Sequence, residues 1–479
     1  MNTALPLNDP LLKKIGMLAD TAPVEAYVVG GYVRDFILGK ECSDIDIVVI
    51  GNGIEFAKLV ARELGIREPV IYENFGTAML PFGERKLEFV GSRKESYNRD
   101  SRKPIVATGT LAEDLSRRDF TINAMAVSLN SKTFGKLVDP FNGREDIERK
   151  LLRTPLDPEE TFDDDPLRIM RAMRFAAQLQ FNVDASVITA AQKMAQRLSI
   201  VSQERISDEF LKILAAPKPS IGLALLQETG ALKIVFPELA ALAGVEQRED
   251  YHHKDVFNHT LQVVDNVAEK SDNVWLRIAA LLHDIAKPKT KAFKSGIGWT
   301  FHGHEDVGAK MVRPIFQKLR LPLDCVPYVE KLVRLHLRPQ ALVDAEVTDS
   351  AIRRLMFEAG DTIDDLMTLC RADITSKNPR LVKQVLENYE RVVQRMAEVE
   401  EKDRIRNWQP PLHGDEIMKL CNIGEGIYVG MLKDAITEAI LDGIISNDHD
   451  AAVQYLLSIK DKILAGPAAK KRLHNSTKS

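Results

Sequence analysis

Two aspartates open a strand that otherwise belongs in a protein interior. Asp44-Ile45-Asp46 begins the run DIDIVVI, residues 44–50, whose β-branched remainder reads as a buried strand. On a strand, residues i and i+2 share a face, so the two carboxylates project side by side. Like charges at that spacing repel unless a cation lies between them. A hard divalent ion such as Mg²⁺ suits oxygen donors of this kind, commonly together with nucleotide phosphates. Two aspartates facing solvent are the ordinary alternative, and the apolar remainder of the strand weighs against it. Upstream, Gly30-Gly31 close a second short strand over residues 24–31 and open a helix that carries Arg34 and Asp35 on its first turn. Small residues there let backbone N–H groups approach a phosphate, and Arg34 adds a fork of donors. Glu88, on an alternating strand over 86–90, is either a third carboxylate on a neighbouring strand or part of a solvated face.

Further along, strand character fades and helical periodicity takes over from about residue 165. Helices are expected over 54–64, 166–179, 204–215, 223–229, 260–271, 274–283, 306–318, 328–335, 350–357, 381–398, 414–420 and 430–442. The fold class is therefore α+β: a head with a mixed β-sheet, then all-α segments. The expected division is a head at 1–150, a helical neck at 151–243, a histidine-rich helical domain at 244–395, and a C-terminal helical region at 396–479 ending in a disordered tail from 466. Hydrophobic residues at 45% of 479 can fill several cores. The net charge of −4 means that any nucleic-acid surface is local. Aromatics at 6% argue against a stacking surface built from many rings. Four dispersed cysteines without a CxxC spacing fit a reduced compartment. No secretory leader and no membrane-length apolar run is evident, so a cytoplasmic location is expected.

Five motifs now stand in order. GGYVRDFILGKECSDIDIVV occupies 30–49, RRDFTINA 117–124, DPFNG 139–143 and DDPLR 164–168; QERI at 203–206 is followed by Glu209. The set resembles class II tRNA nucleotidyltransferases and bacterial poly(A) polymerases, whose head is of the DNA polymerase β type. The resemblance implies that Asp44 and Asp46 hold Mg²⁺, with Glu88 as a possible third acid. It implies that Gly30, Gly31, Arg34, Arg117 and Arg118 contact the triphosphate. Asp119 and Asn123 would lie near the ribose, and Arg171 and Arg174 would extend the nucleotide site. Asp165 and Arg168, at i and i+3, fall on one helix face. A carboxylate and a guanidinium there can bond the Watson–Crick edge of C or A. Asp165 before Pro166 is equally a good helix cap, and Asp164 stands where the family has Glu. The charged stretch 91–116 resembles the family's flexible loop, whose length implies full CCA addition over CC-only addition.

Seven of the ten histidines lie between His252 and His336. His259, His283-Asp284 and Asp373 resemble the four-ligand core of HD-type phosphohydrolases, and His304 and His336 match the extra ligands of two-metal members. Imidazole with carboxylate suits a divalent metal, of unknown identity here. A degenerate HD domain acting as a scaffold is the rival. The resemblance thus implies an enzyme that adds C, C and A to tRNA 3′ ends from CTP and ATP, with a phosphohydrolase domain attached. The alternatives are poly(A), A-only or CC-only addition, an HD phosphohydrolase with a nucleotide-binding head, and an RNA-binding module without chemistry. Oligomeric state is not legible in the sequence.

Overall fold

The structure, a computed structural model, describes residues 5–73, 76–98, 101–245, 255–295, 298–343, 348–376, 378–403 and 410–465. The expected C-terminal tail and His252 lie outside them. The chain divides into two compact units, Met1–Ala241 and Leu242–Ser479. Among the described residues, no helix is long and apolar enough to cross a membrane.

In the first unit, strands β1 (Glu25–Val29), β2 (Asp44–Ile50), β3 (Val70–Tyr72), β4 (Thr77–Phe82) and β5 (Arg85–Gly91) are followed by β6 (Arg93–Asn98), β7 (Ser101–Thr108), β8 (Ala126–Ser128) and β9 (Leu137–Val138). Seven of these form one mixed sheet in the order β3-β4-β5-β2-β1-β8-β9, in which only β2 and β5 run parallel. Strand β2 is central, which explains its composition: Ile45, Ile47 and Val49 are fully buried on one face. The other face divides along its length. Val48 joins Val29, Leu115 and Ala126 in a core cluster, while Asp44 and Asp46 hold the open end. Strands β6 and β7 pair with each other as a separate hairpin. The stretch expected as a flexible loop is therefore this hairpin followed by the helix Leu111–Ser116, which Thr110 and Glu113 close with a reciprocal capping box.

The neck is helical as expected, with Leu167–Leu179 at its centre, packed by Gln203–Leu214 and Pro219–Glu228. Several helices of this unit lie outside those expected from sequence periodicity, the longest being Pro10–Thr21 and Ala185–Met194. Ala185–Met194 is capped by Asp184. Pro10–Thr21 has Asp9 as its cap and proline in its first turn, and it carries Gly16 in its interior. A Cβ at Gly16 would lie 1.9 Å from the Leu129 carbonyl oxygen, so the glycine is there for close packing.

The DPFNG motif has a structural explanation. The Asp139 carboxylate accepts from the backbone N–H of Gly143 (2.7 Å) and Arg144 (3.0 Å), starting the helix Gly143–Arg149. A Cβ on Gly143 would sit 2.1 Å from the backbone oxygen of Thr121, inside the RRDFTINA motif. Gly143→Ala should therefore cost about 3 kcal/mol, the upper end for overpacked sites. A fall in unfolding midpoint confined to the first unit would show it; an unchanged midpoint would refute the close approach.

In the second unit, Val256–Ala268 starts four residues before the expected 260 because the Asp255 side chain accepts from the Asn258 backbone N–H (3.1 Å). The helix Pro379–Asp403 runs 25 residues, across the boundary drawn at 395. Beyond it, Gly414–Cys421, Ile427–Leu441 and His449–Leu464 bury Leu412, Ile417, Leu432, Ile436 and Leu456 between them.

Candidate functional site

The cleft beside β2 is built by adjacent elements. It has a volume of about 580 Å³ and is lined by Gly30, Gly31, Arg34, Asp44, Asp46, Glu88, Arg118, Asp119, Asn123, Arg171 and Arg174 from the sequence-derived set. Glu88 is the register partner of Asp46 on the parallel neighbour β5, so three carboxylates share one patch. Gly30 has φ +69°, and a Cβ there would meet Arg118 at 2.9 Å and Asp46 at 3.3 Å, which excludes a side chain. Burial, reinforced by the charges of Asp44 and Asp114, raises the Asp46 pKa against the opposing pull of Arg118. A half-buried carboxylate beside other hard oxygens fits a divalent cation.

Opposite these acids stands an arginine wall. Arg34 is buried, paired with Asp35 and donating to Asn123 Oδ1 at 2.9 Å. Asn123 donates in turn to Asp119, which also accepts from Arg171 at 2.8 and 2.5 Å. Burial alone would raise Asp119, but Arg171 and Asn123 outweigh it and hold its pKa below the ordinary value. Arg174 pairs at 3.0 Å with buried Glu209. The guanidiniums of Arg34, Arg171 and Arg174 lie 5.1, 5.4 and 4.2 Å from the Phe175 ring centroid. Three cations gathered on one ring beside three acids make a site polarised for an anion bound with a cation.

Three of the residues expected at the nucleotide site do not line this cleft. Arg117 pairs with Asp114 at 2.8 Å. Arg168 donates to the carbonyls of Thr161 (3.2 Å) and Arg117 (2.5 Å). Asp165 accepts from the Leu167 N–H (3.1 Å) and from Arg205 (2.7 Å). The capping alternative for Asp165 is thus realised. The cleft face of the helix Leu167–Leu179 instead presents Arg171, Arg174, Phe175 and Gln178. Sequence reasoning misses Lys86, Phe175, Gln178 and Asp114. Lys86 is within its reach, two residues before Glu88 on the same strand face. Asp114, fully buried, precedes Arg117 and Arg118 at helical spacing and binds both.

The second unit holds a separate cluster. His259, His283 and Asp373 form one group and Asp284, His304 and His336 another, with ligand atoms within 4.8 Å inside each group. His259 Nε2 lies 2.9 Å from Asp373, His304 Nε2 lies 3.2 Å from Asp284, and the Nε2 atoms of His304 and His336 are 3.4 Å apart. The outer nitrogens are fixed: Nδ1 of His283, His304 and His336 meets the carbonyls of Ala280, Phe301 and Val333 at 2.7–2.8 Å, and that of His259 meets the Thr375 hydroxyl. A carbonyl only accepts, so Nδ1 carries the hydrogen and Nε2 faces inward, as metal-binding imidazoles require. His283 Nε2 is buried and faces the carboxylates of Asp284 and Asp373 at 3.2 and 3.5 Å. Burial would lower the His283 pKa, yet Asp284 and Asp373 push it up to about 10. The same carboxylate charge attracts a metal. Burial and the neighbouring His283 hold His336 down at about 4. The donor set fits a divalent cation.

A mixed sheet bearing paired carboxylates across from an arginine-lined cleft, joined to an HD-type cluster, defines a nucleotidyltransferase with a second metal-binding unit. Residues 26–153 match the poly(A) polymerase head domain, 180–242 the probable RNA and SrmB-binding site of polymerase A, and 256–378 the HD domain. The chain is 32% identical over 445 residues to the CC-adding tRNA nucleotidyltransferase of Thermus thermophilus, covering 90% of this chain and 92% of that one. It is 36% identical to the multifunctional CCA protein of Neisseria meningitidis, covering 66% and 73%. A crystal structure of a tRNA nucleotidyltransferase with a primer tRNA and an incoming ATP analogue superimposes with TM-score 0.58 at 26% identity, over 79% of this chain and 98% of that one. This chain belongs to the tRNA nucleotidyltransferase family.

Proposed function

We propose that the chain adds C, C and A to tRNA 3′ ends from CTP and ATP without a nucleic-acid template. The observation that carries this reading is the cleft in which Asp44, Asp46 and Glu88 face Arg34, Arg118, Arg171 and Arg174. Asp44 and Asp46 would hold Mg²⁺, which would supply a Lewis acid to lower the pKa of the primer hydroxyl and positive charge to offset the leaving pyrophosphate. The chain's own groups do the rest. Gly30 and Gly31 leave room for phosphate oxygens, the arginines match their charge, and Asp119 with Asn123 orients the ribose. The head 1–150 supplies the acids together with Arg34 and Arg118, and the neck 151–243 supplies Arg171 and Arg174. The assignment of Asp284, Asp373 and the four histidines to a divalent-metal phosphohydrolase, within 244–395, belongs to the same proposal. The Thermus relative favours one second reading, addition of CC alone.

A tRNA transcript ending at the discriminator base, incubated with CTP, ATP or both, separates the readings. Full CCA with both nucleotides is expected. A stop at CC with ATP present supports the second reading, and A addition to any RNA refutes both. Base choice gives a further prediction. Asp165 is already held by Arg205, and Arg168 by two carbonyls, so reading a base requires them to exchange these partners. Asp165→Ala and Arg168→Ala should each raise UTP or GTP incorporation relative to CTP by about tenfold, the worth of one lost hydrogen-bonded discrimination. Unchanged selectivity would move base reading to Arg171, Arg174 and Gln178.

A further inference from the structure

Between two ligands of the HD-type cluster, Asp284 and His304, the chain makes a detour. It runs through the short helix Lys287–Thr290 and a hairpin of two strands, Ala292–Lys294 and Gly298–Thr300. From 285 to 304 it carries four lysines and no carboxylate, a local charge opposite to the −4 of the whole. The hairpin also exposes two large rings: Phe293 is 66% exposed and Trp299 39%. The rings meet edge to face with centroids 5.3 Å apart, and Lys291 stands 4.4 Å from the Trp299 centroid. Burying these rings in a core would stabilise the fold; exposing both on one three-residue ladder does not. At the roots of the hairpin, Lys287 Nζ touches Asp284 at 2.7 Å, and the Phe301 carbonyl accepts from His304 Nδ1.

We propose that this hairpin is a docking surface for single-stranded RNA: one or two bases stack on Trp299 and Phe293 while Lys289, Lys291 and Lys294 neutralise the phosphates. Rings beside lysines are the combination that single-stranded nucleic acid uses. An acidic peptide would need the lysines and leave the rings without a purpose. Bases held here leave the adjoining phosphates next to Lys287 and the metal-ligand cluster. The surface stands on the hairpin itself and requires no hydrolysis by that cluster.

The test uses the full chain and a six-nucleotide RNA carrying one 5-iodouridine, which cross-links on irradiation to an aromatic ring stacked on it. Peptide mapping is expected to place a cross-link on Trp299 or Phe293, in addition to any in the first unit. The Lys289→Glu/Lys294→Glu double variant, with both rings intact, should reduce that cross-link about tenfold at 50 mM salt, since each phosphate left without its lysine weakens binding steeply there. Trp299→Phe should retain it and Trp299→Ala/Phe293→Ala should lose it. Circular dichroism and CTP addition to tRNA should stay unchanged in all of these variants. Cross-links confined to residues 1–241 would overturn the proposal, and so would polyglutamate displacing the RNA from the hairpin at equal concentration. Failure of nucleotide addition in the wild-type protein would count against the function proposed above without touching this surface.

Discussion

Asp46→Asn is expected to abolish nucleotide addition while making the protein more stable. The loss should be at least about a thousandfold in single-turnover incorporation of CTP, because a carboxylate that fixes a catalytic cation is worth several kcal/mol of transition-state stabilisation. Asparagine keeps the shape of Asp46, so the cleft and its arginines stay in place. The stability change follows from the same local physics. Burial and the nearby acids raise the pKa of Asp46 in the folded protein, so the ionised carboxylate is disfavoured by folding. A group of this sign destabilises the fold above its folded pKa, and that penalty fades as pH falls through it. Asp46→Asn should accordingly raise the unfolding midpoint at pH 7 without added metal, with the difference shrinking towards pH 4. Asp44→Ala should lose incorporation equally. More than a tenth of wild-type activity in either variant would refute the assignment of these acids to the cation, and a lowered midpoint at pH 7 would refute the account of Asp46.

The head is legible in the sequence wherever period-two patterning coincides with chemistry. Asp44, Asp46 and Glu88 can be placed because alternate residues on a strand share a face. Their meeting on one patch depends on the β2–β5 register, which no local pattern states. Arg171, Asp119 and Glu209 each stand out singly. Their arrangement around Phe175 joins positions 52 residues apart in the chain, beyond the reach of helical spacing. Asp165 and Arg168 show the opposite failure. Their i, i+3 spacing reads as an open pair, but each finds a closer partner, in Arg205 and in the Arg117 carbonyl. The need for glycine at position 16 is not legible, because the Leu129 carbonyl that packs against it is remote in sequence. In the 91–116 stretch the charges mask the β-branched Ile105 and Val106 of β7. The histidine cluster is legible from residue types and order. The carbonyls that orient the rings lie three residues back at His283, His304 and His336, so that support is also within reach of the sequence.

Asp284→Ala should empty both halves of the histidine cluster at once and leave tRNA nucleotide addition intact. The two ligand groups meet at this residue. Its Oδ1 lies 3.2 Å from His304 Nε2, while its Oδ2 lies 3.2 Å from His283 Nε2 and 3.7 Å from His259 Nε2. One carboxylate therefore has an oxygen for each side. Removing it also strips the negative charge that, against the cost of burial, His283 and Lys287 hold ionised far below the usual range. Lys287 would then lose its carboxylate partner and Asp373 would be the one carboxylate left in the two ligand groups, a poor environment for a divalent cation. Elemental analysis of the purified protein should show the metal bound by the second unit falling to below about a tenth of the wild-type content, given the 10–100-fold affinity losses that follow even from removing a partner of a ligand. The single substitutions His259→Ala and His304→Ala, one in each group, should each remove only part. A cluster that merely scaffolds the helices would give another pattern: no metal in the wild type, and a lowered unfolding midpoint in all three variants. If addition of CTP and ATP collapsed along with metal content while the unfolding midpoint held, the two sites would be chemically coupled, and the separation of nucleotide addition from the HD-type centre would be wrong.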